Sequence, residues 1–220
     1  MDLRVVLVAP ENPLNVGFVA RAMRAFGVED LAIAGSKWKT LPPEARITGV
    51  SAPAVLDGVR FENELEDALR GCQTAIAFSR RPTGLKQDEF TLPAMPGVSL
   101  KGRTGLVFGR ESTGLTREEA ALCPHLGRIP SENGVSLNLG QAVAVALFSL
   151  TATDRGLPEM PATAALDRMM AMWDYLSPRL AASPRFNGVK QQRVRQMLFR
   201  LRLDDGDFDQ LFSLMKALSK

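Results

Sequence analysis

A pattern that predicts a strand followed by a glycine-flanked acidic turn occupies residues 107–115, Val107-Phe108-Gly109-Arg110-Glu111-Ser112-Thr113-Gly114-Leu115. The glycines on both sides of the turn suit tight backbone geometry, because glycine has no Cβ to clash. In an open parallel sheet, ligands bind beyond the carboxyl ends of the strands. The acidic turn is therefore a candidate ligand site, although a glycine after a strand is more often a matter of turn geometry alone.

Outward from this run, short apolar strands alternate with helical patterns over the first 150 residues. Strands are predicted over Arg4–Ala9, Leu31–Ala34, Thr74–Phe78, Gly105–Phe108 and Arg128–Pro130. Apolar spacing and start signals predict helices over 16–26, over Glu62–Gly71, from Thr116 with a capping box to Glu119, and over Leu137–Leu150. The last is apolar almost all round, which predicts a buried helix. This alternation predicts an α/β fold, a mostly parallel sheet with helices on both faces.

The last 60 residues differ in charge from the rest of the chain. Residues 161–220 carry 10 Lys/Arg and 6 Asp/Glu, whereas residues 1–160 carry 17 and 18. Between residues 175 and 203 there are seven basic residues and no acidic one. A run of one sign indicates a polyanionic partner, although a solvated face or a dimer contact is the plainer alternative.

This basic segment is predicted to be a small all-helical extension. Gly156, Pro158 and Pro161 predict a linker, and helices are predicted over 162–180, 190–203 and 208–218. The predicted division is a catalytic domain over residues 1–157 and a basic helical extension over residues 158–220.

Several functional classes lack their signatures. The chain has no G-x-G-x-x-G for a dinucleotide and no G-x-x-x-x-G-K-[ST] for a nucleoside triphosphate. No serine lies in a nucleophile elbow. Its two cysteines, Cys72 and Cys123, and its single histidine, His125, do not have metal-ligand spacing, so no metal is expected. The absence of a signal peptide and of a long apolar run predicts a cytoplasmic protein without a membrane contact.

Two further segments have sequences as specific as that of residues 107–115. One is residues 15–23, Asn-Val-Gly-Phe-Val-Ala-Arg-Ala-Met, which places Asn15 near the end of the first strand and Arg21 in the next helix. The other joins Ile129-Pro130 to residues 135–139, Val-Ser-Leu-Asn-Leu. Taken singly, Ser136 or Asn138 would be read as a helix cap. Arg21 alone would be read as a surface ion pair.

In this order, the three segments resemble the three motifs of the SPOUT superfamily, specifically its TrmH-like RNA 2′-O-methyltransferases. Within them the resemblance is closest to the bacterial tRNA (cytidine/uridine-2′-O-)-methyltransferases that modify nucleotide 32 of the anticodon loop. It covers residues 4–150 and extends more weakly to residues 193–200. It implies a C-terminal trefoil knot in the catalytic domain, S-adenosylmethionine bound bent in that knot, and a homodimer with tRNA as partner. Gly134-Val135 depart from the subgroup, which commonly has a Tyr-Ser pair at this place.

The resemblance also assigns roles to residues of this chain. Arg21, Asn15 and Ser136 match catalytic positions, where Arg21 would act by its charge because guanidinium remains protonated. The predicted cofactor-binding residues are Phe78, Ser79, Arg80, Gly109, Glu111, Ile129, Val135, Ser136, Leu137 and Asn138. The predicted RNA-binding residues are Lys190, Arg193, Arg195 and Arg200.

Three other functions remain open at this point. One is methylation of ribosomal RNA, and another is methylation of a different tRNA position such as the wobble nucleotide. The third is RNA binding by a SPOUT-like protein without catalysis. The joint presence of Asn15, Arg21, Glu111, Ser136 and Asn138 favours an enzyme, because a protein that only binds RNA does not need this set.

Overall fold

Seven parallel strands form one sheet at the centre of the molecule. The computed structural model describes residues 1–80, 84–94, 102–132, 135–152, 164, 166–186, 188–201 and 203–218. The strands are β1 (Asp2–Val8), β2 (Asp30–Ala34), β3 (Arg60–Glu62), β4 (Thr74–Phe78), β5 (Asp88–Thr91), β6 (Arg103–Phe108) and β7 (His125–Arg128). Their order is β3-β2-β1-β6-β4-β7-β5, and every neighbouring pair is parallel. The predicted α/β class with a parallel sheet is confirmed.

Helices connect the strands and continue beyond the last one. Within the described residues they are α1 (Pro13–Ala25), α2 (Ala45–Thr48), α3 (Pro53–Asp57), α4 (Leu65–Ala68), α5 (Arg117–Ala120), α6 (Leu139–Ala152), α7 (Leu166–Ala181), α8 (Gly188–Arg200) and α9 (Asp205–Leu218). The capping box predicted at Thr116 is present: its side chain accepts from the Glu119 N–H, and the Glu119 carboxylate accepts from the Thr116 N–H. No helix in this part of the chain is long and apolar enough to cross a membrane.

The two faces of the sheet bury two separate apolar clusters, because successive strand residues point to opposite faces. In β1, Val5 and Leu7 face the cluster that contains α1, α3 and α6. Val6 and Val8 face the other cluster, to which α4, α5 and the three C-terminal helices contribute. Helices therefore cover both faces, as the alternation predicts.

The C-terminal helices extend the apolar cluster on the face of the sheet that α4 covers. Met169, Met170 and Met172 of α7, Phe199 of α8 and Phe208 of α9 are buried in the same cluster as strand residues. Arg195 of α8 adds an ion pair with Glu66 of α4. The proposed linker lies within residues 153–163, which are outside the described residues, so the two-domain division stays a prediction.

The element predictions fail where tertiary pairing overrides local pattern. The segment Glu62–Gly71 is not one helix, because Glu62 pairs with Ala34 in the sheet and the helix spans only Leu65–Ala68. The strand predicted over Arg128–Pro130 lies instead at His125–Arg128, where it pairs with β4 and β5. Sequence reasoning also missed β3, β5, α2 and α3, which are three to five residues long.

Helix α6 differs from its prediction in burial. Val143, Ala146, Leu147 and Leu150 are buried against α1 and the sheet. Phe148, however, is 60% exposed and Val145 is 36% exposed. An apolar helix of this kind is covered on one side only in the single chain.

Candidate active site

A cavity of about 480 Å³ opens at the carboxyl ends of β6, β4 and β7. Its volume is in the range of small-molecule and cofactor sites. Asn15 and all ten predicted cofactor-binding residues line it, namely Phe78, Ser79, Arg80, Gly109, Glu111, Ile129, Val135, Ser136, Leu137 and Asn138. The three sequence segments, far apart along the chain, therefore meet at one place.

The floor of the cavity is apolar and closely packed. The rings of Phe78 and Phe108, at the ends of adjacent strands, stack with centroids 4.7 Å apart. Gly127 of β7 leaves room for them, since a Cβ there would lie 2.7 Å from the Phe78 ring. Ile129, Leu139 and Ala142 complete the apolar part of the wall. This surface suits the flat face of an aromatic ligand.

The turn after β6 folds back on itself and forms one wall. The N–H of Arg110 donates to the Gly114 carbonyl at 3.2 Å, and the N–H of Gly114 donates to the Arg110 carbonyl at 2.8 Å. A Cβ on Gly109 would lie 2.2 Å from the Gly114 carbonyl carbon. Gly114 itself has a φ of +74°, which glycine adopts at little cost. The turn therefore requires glycine at both positions, and at Gly109 the reason is the close approach of the Gly114 backbone.

Glu111 connects this turn to the start of α1. Its carboxylate accepts hydrogen bonds from the N–H groups of Glu11 and Asn12, at 2.8 and 3.2 Å, and from the Asn15 side-chain amide at 2.9 Å. A carboxylate at this place also interacts favourably with the positive end of the helix dipole. Glu111 therefore holds two loops together.

Asn15 links that contact to the third segment. Its side-chain oxygen accepts from the Asn138 amide at 2.8 Å, while its amide donates to Glu111. Asn138 is also the cap of α6: its side-chain oxygen accepts from the Gly140 N–H at 2.9 Å, and its own N–H donates to Gln141 at 3.1 Å. With both ends of its amide engaged and only 7% exposed, Asn15 is held as a bridge between motifs.

The other two residues predicted to be catalytic are accessible. Arg21 lies on the exposed side of α1, and it has neither an ion pair nor a hydrogen bond to any described residue. It is not part of the cavity wall. Ser136 is exposed and lines the cavity, beside Val135, which is 65% exposed. Gly134, the other half of the departure from the subgroup, lies outside the described residues.

Arg110 is a cavity residue that the motif comparison did not single out. Its guanidinium makes two hydrogen bonds to the Glu119 carboxylate, at 3.0 and 2.9 Å, and these raise the pKa of Arg110 above its ordinary value. Because Glu119 also caps α5, this pair fixes the far side of the turn. Phe108, Ser112 and Leu139, which lie within the quoted segments, also line the cavity and were missed as site residues, as was Ala142 of α6.

The predicted RNA-binding residues of α8 divide into two groups. Lys190, Arg193 and Arg200 are exposed. Arg195 is half-buried, pairs with Glu66 and lies over the rings of Trp173 and Phe199, at 5.7 and 5.9 Å from their centroids. The structure thus gives Arg195 an intramolecular contact that the charge pattern could not reveal.

Nucleophilic and metal chemistry find little support in the described part of the chain. Both cysteines are free and buried, and burial raises the pKa of Cys72 to about 11 and raises that of Cys123 as well. Thiolates are therefore scarce at neutral pH. Among the described residues, no group of three or more His, Cys, Asp or Glu could hold a metal ion.

The fold and the cavity define an α/β protein with a ligand site at the carboxyl edge of a parallel sheet, built from the loops after β1, β6 and β7. The model of the SpoU rRNA Methylase family matches residues 2–148. This chain therefore belongs to the SpoU methylase family.

Relatives within this family agree with the assignment. A tRNA (cytidine-2′-O-)-methyltransferase TrmJ of Methanocaldococcus jannaschii is 38% identical over 154 residues, which are 67% of this chain and 66% of that protein. A tRNA (cytidine/uridine-2′-O-)-methyltransferase TrmJ of Klebsiella pneumoniae is 26% identical over 240 aligned residues, covering 100% of this chain and 97% of that protein. The crystal structure of TrmJ from Z. mobilis ZM4 superposes with a TM-score of 0.88 at 24% identity, covering 100% of both chains. That structural likeness shows a shared fold.

We expect the turn at Gly109 to be intolerant of a side chain. In Gly109→Ala, the new methyl would collide with the backbone of Gly114, so the turn must open and the cavity wall must move. Affinity for S-adenosylhomocysteine, measured by calorimetry, should fall at least about tenfold. Gly188→Ala is the matched control, because a Cβ at Gly188 meets nothing within 4 Å. Equal affinities in the two variants would contradict the close approach.

Proposed function

We propose that this chain transfers a methyl group from S-adenosylmethionine to a ribose 2′-hydroxyl of tRNA, at nucleotide 32 of the anticodon loop. The observation that carries the proposal is the single cavity in which Asn15, Glu111 and Asn138 join all three motifs. Relatives named as tRNA 2′-O-methyltransferases supply the reaction and the substrate class. A tRNA substrate implies a cytoplasmic location.

The cavity residues fit S-adenosylmethionine, whose sulfonium supplies an activated methyl group. Phe78, Ile129 and Leu139 offer apolar contact to an adenine ring, and the turn at Gly109 leaves backbone groups accessible to it. Ser79, Ser136 and the carbonyls around them offer polar partners. Solved relatives titled as bound to AdoMet, one from Sinorhizobium meliloti and one from Streptomyces viridochromogenes, share the fold.

Arg21 is assigned the electrostatic role in catalysis. Its guanidinium is exposed and has no partner among the described residues, so it is free to meet a phosphate or a ribose oxygen of the substrate. A positive charge beside the 2′-oxygen stabilises negative charge that develops as the proton leaves. Asn15 acts indirectly in this scheme, because both ends of its amide hold neighbouring loops.

The choice of nucleotide 32 is supported by the helical segment after the cavity motifs. A solved neighbour titled for 2′-O-methylation of C/U34 on tRNA matches 70% of this chain and 91% of its own length, at a TM-score of 0.54. The K. pneumoniae relative instead matches the whole of this chain, including α7, α8 and α9. The additional helices favour the longer class of enzyme over one that modifies the wobble nucleotide.

A trefoil knot belongs to the proposal. Strand β7 is inserted between β4 and β5, and the segment that follows it supplies Ser136 and Asn138 to a cavity already framed by earlier loops. This order supports the threading that the family resemblance implies.

We also propose a homodimer, paired through the exposed side of α1 and α6. Phe18 of α1 is 45% exposed, and Val145 and Phe148 of α6 are 36% and 60% exposed. The Phe148 ring lies edge-on to the Phe26 ring at the end of α1, with centroids 6.4 Å apart. Apolar patches of this kind mark protein interfaces, and two-fold dimers are the commonest oligomers. Helix α1 also carries Arg21, so pairing through α1 brings the partner subunit close to the reacting ribose.

The catalytic assignment is tested with purified protein, S-adenosylmethionine and unmodified tRNA transcripts. Mass spectrometry of the digested product should show one 2′-O-methylated pyrimidine at position 32. Arg21→Ala should lower turnover by about 100-fold or more while cofactor affinity stays within about twofold, because its charge matters mainly in the transition state. Arg24→Ala on the same helix is the control and should retain activity. Methylation at 34, or of ribosomal RNA only, would overturn the substrate assignment.

The dimer is tested by replacing an exposed ring with a charge. Phe148→Asp should shift the mass in light scattering from that of two chains to that of one at micromolar concentration, because a carboxylate cannot be buried in an apolar interface at little cost. Val50→Asp is the control, since Val50 is 80% exposed and belongs to neither α1 nor α6, lying between α2 and α3. A wild-type mass of 23.9 kDa would refute the dimer.

The RNA-binding role of the basic helical extension is tested by the salt dependence of tRNA binding. Replacing Arg193 and Arg200 together by Ala should flatten the slope of log K against log salt by about one for each lost phosphate contact. Arg195→Ala should instead lower the melting temperature, since its charge already pairs with Glu66. An unchanged slope in the double variant would show that Arg193 and Arg200 do not contact RNA phosphates.

A further inference from the structure

The loop between β1 and α1 contains an acidic residue that no motif accounts for. Glu11 follows Ala9, whose φ of +44° is in the left-handed region, and Pro10, which is buried. A non-glycine residue in this conformation costs free energy and persists only where its surroundings hold it there. The turn is held by the Ala9 N–H, which donates to the Ala34 carbonyl at 2.8 Å, and by the hydrogen bonds that Glu11 accepts two residues later.

Hydrogen bonds run in both directions between Glu11 and the turn after β6. The Glu11 carboxylate accepts from the Ser112 N–H at 3.0 Å and from the Ser112 hydroxyl at 2.6 Å. In the opposite direction, the Glu111 carboxylate accepts from the Glu11 N–H at 2.8 Å. Each loop thus satisfies backbone donors of the other, and two adjacent residues of each loop take part.

The surroundings of the Glu11 carboxylate favour its ionised form. The hydrogen bond from Ser112 lowers the pKa of Glu11, and the positive charges of Arg110 and Lys37 act in the same direction. Glu11 therefore remains an acceptor at neutral pH. Its contact is an exposed one, so it contributes through geometry more than through burial.

The hydrogen bonds that join Glu11 to the turn after β6 lie between the cavity and the helix of Arg21. Ser112 lines the cavity, whereas Glu11 does not. One residue after Glu11 comes Asn12, which caps α1 by accepting from the Leu14 N–H at 3.0 Å. The position of α1 relative to the cofactor wall is thereby set by Glu11 on one side and Glu111 on the other.

We propose that Glu11 is a positioning residue of the methyltransferase, which acts through Ser112 to fix the cofactor wall against the start of α1. This proposal rests on the proposed function and adds to it a residue that touches neither ribose nor cofactor. Its loss leaves the fold intact, because the three hydrogen bonds to Glu111 remain.

The test compares Glu11→Ala, Glu11→Gln, Ser112→Ala and the double variant Glu11→Ala/Ser112→Ala. Calorimetry with S-adenosylhomocysteine measures affinity, and single-turnover methylation at saturating cofactor measures the step itself. Glu11→Ala should weaken affinity roughly five- to twentyfold, in line with the loss of hydrogen bonds to a charged group. The double variant should lose little more than Glu11→Ala, because the two residues act as a pair. Glu11→Gln keeps an acceptor for the Ser112 N–H and should recover most of the affinity.

Glu29→Ala is the matched control, since Glu29 is an exposed glutamate whose only ion pair among the described residues is a 3.9 Å contact to Arg24. Melting temperatures of all variants should lie within about two degrees of the wild type, which separates positioning from a general loss of stability. Losses that multiply in the double variant, or a Glu11→Ala affinity equal to that of Glu29→Ala, would overturn the proposal. If Glu11→Ala fails to fold, Ser112→Ala alone must still show the affinity loss. Wild-type protein that does not bind S-adenosylhomocysteine would instead refute the proposed function.

Discussion

The contact between the Glu111 carboxylate and the amino-terminal end of α1 determines where the other parts of the site can lie. It joins a turn after β6 to a loop after β1, and through Asn15 it reaches the cap of α6 at Asn138. Buried or half-buried polar groups need partners, so a chain of this kind is satisfied only as a whole. Removal of one member leaves the next without its hydrogen bond. The cavity is shaped by polar contacts at its rim and by stacked rings at its floor.

Much of this arrangement is readable from the sequence, because the motif residues adjoin strong strand and helix signals. Phe78 ends one strand that is buried on both faces and Gly109 follows another, and such strands are apolar and easily recognised. Asn138 precedes a long apolar helix, so its place as a cap follows from local chemistry. The structure brings all ten predicted cofactor residues to the lining of one cavity.

What the sequence does not reveal depends on partners distant in the chain. The role of Asn15 as a bridge requires Glu111 and Asn138, which lie 96 and 123 residues away. The charge pattern groups Arg195 with its exposed neighbours, yet Glu66, 129 residues away, takes its guanidinium. Strand β5 is polar except for Phe90 and has no strand pattern in the sequence, because an edge strand buries few side chains. Distance along the chain, and not weak local signal alone, limits such predictions.

The packing of α7, α8 and α9 into the apolar cluster around α4 has a consequence for how an RNA substrate is positioned relative to the cavity. Because α8 is held by buried Phe199 and by the pair between Arg195 and Glu66, the exposed Arg193 and Arg200 stay at a constant separation from the cavity. Phosphate contacts carry no base information, but they fix register along a nucleic acid. In an enzyme that works as proposed, the C-terminal helices hold the RNA backbone at a fixed distance from the cavity. The modified ribose is then selected by its distance from the phosphates that α8 contacts. A change in the length of the RNA stem would therefore move the methyl group to another nucleotide.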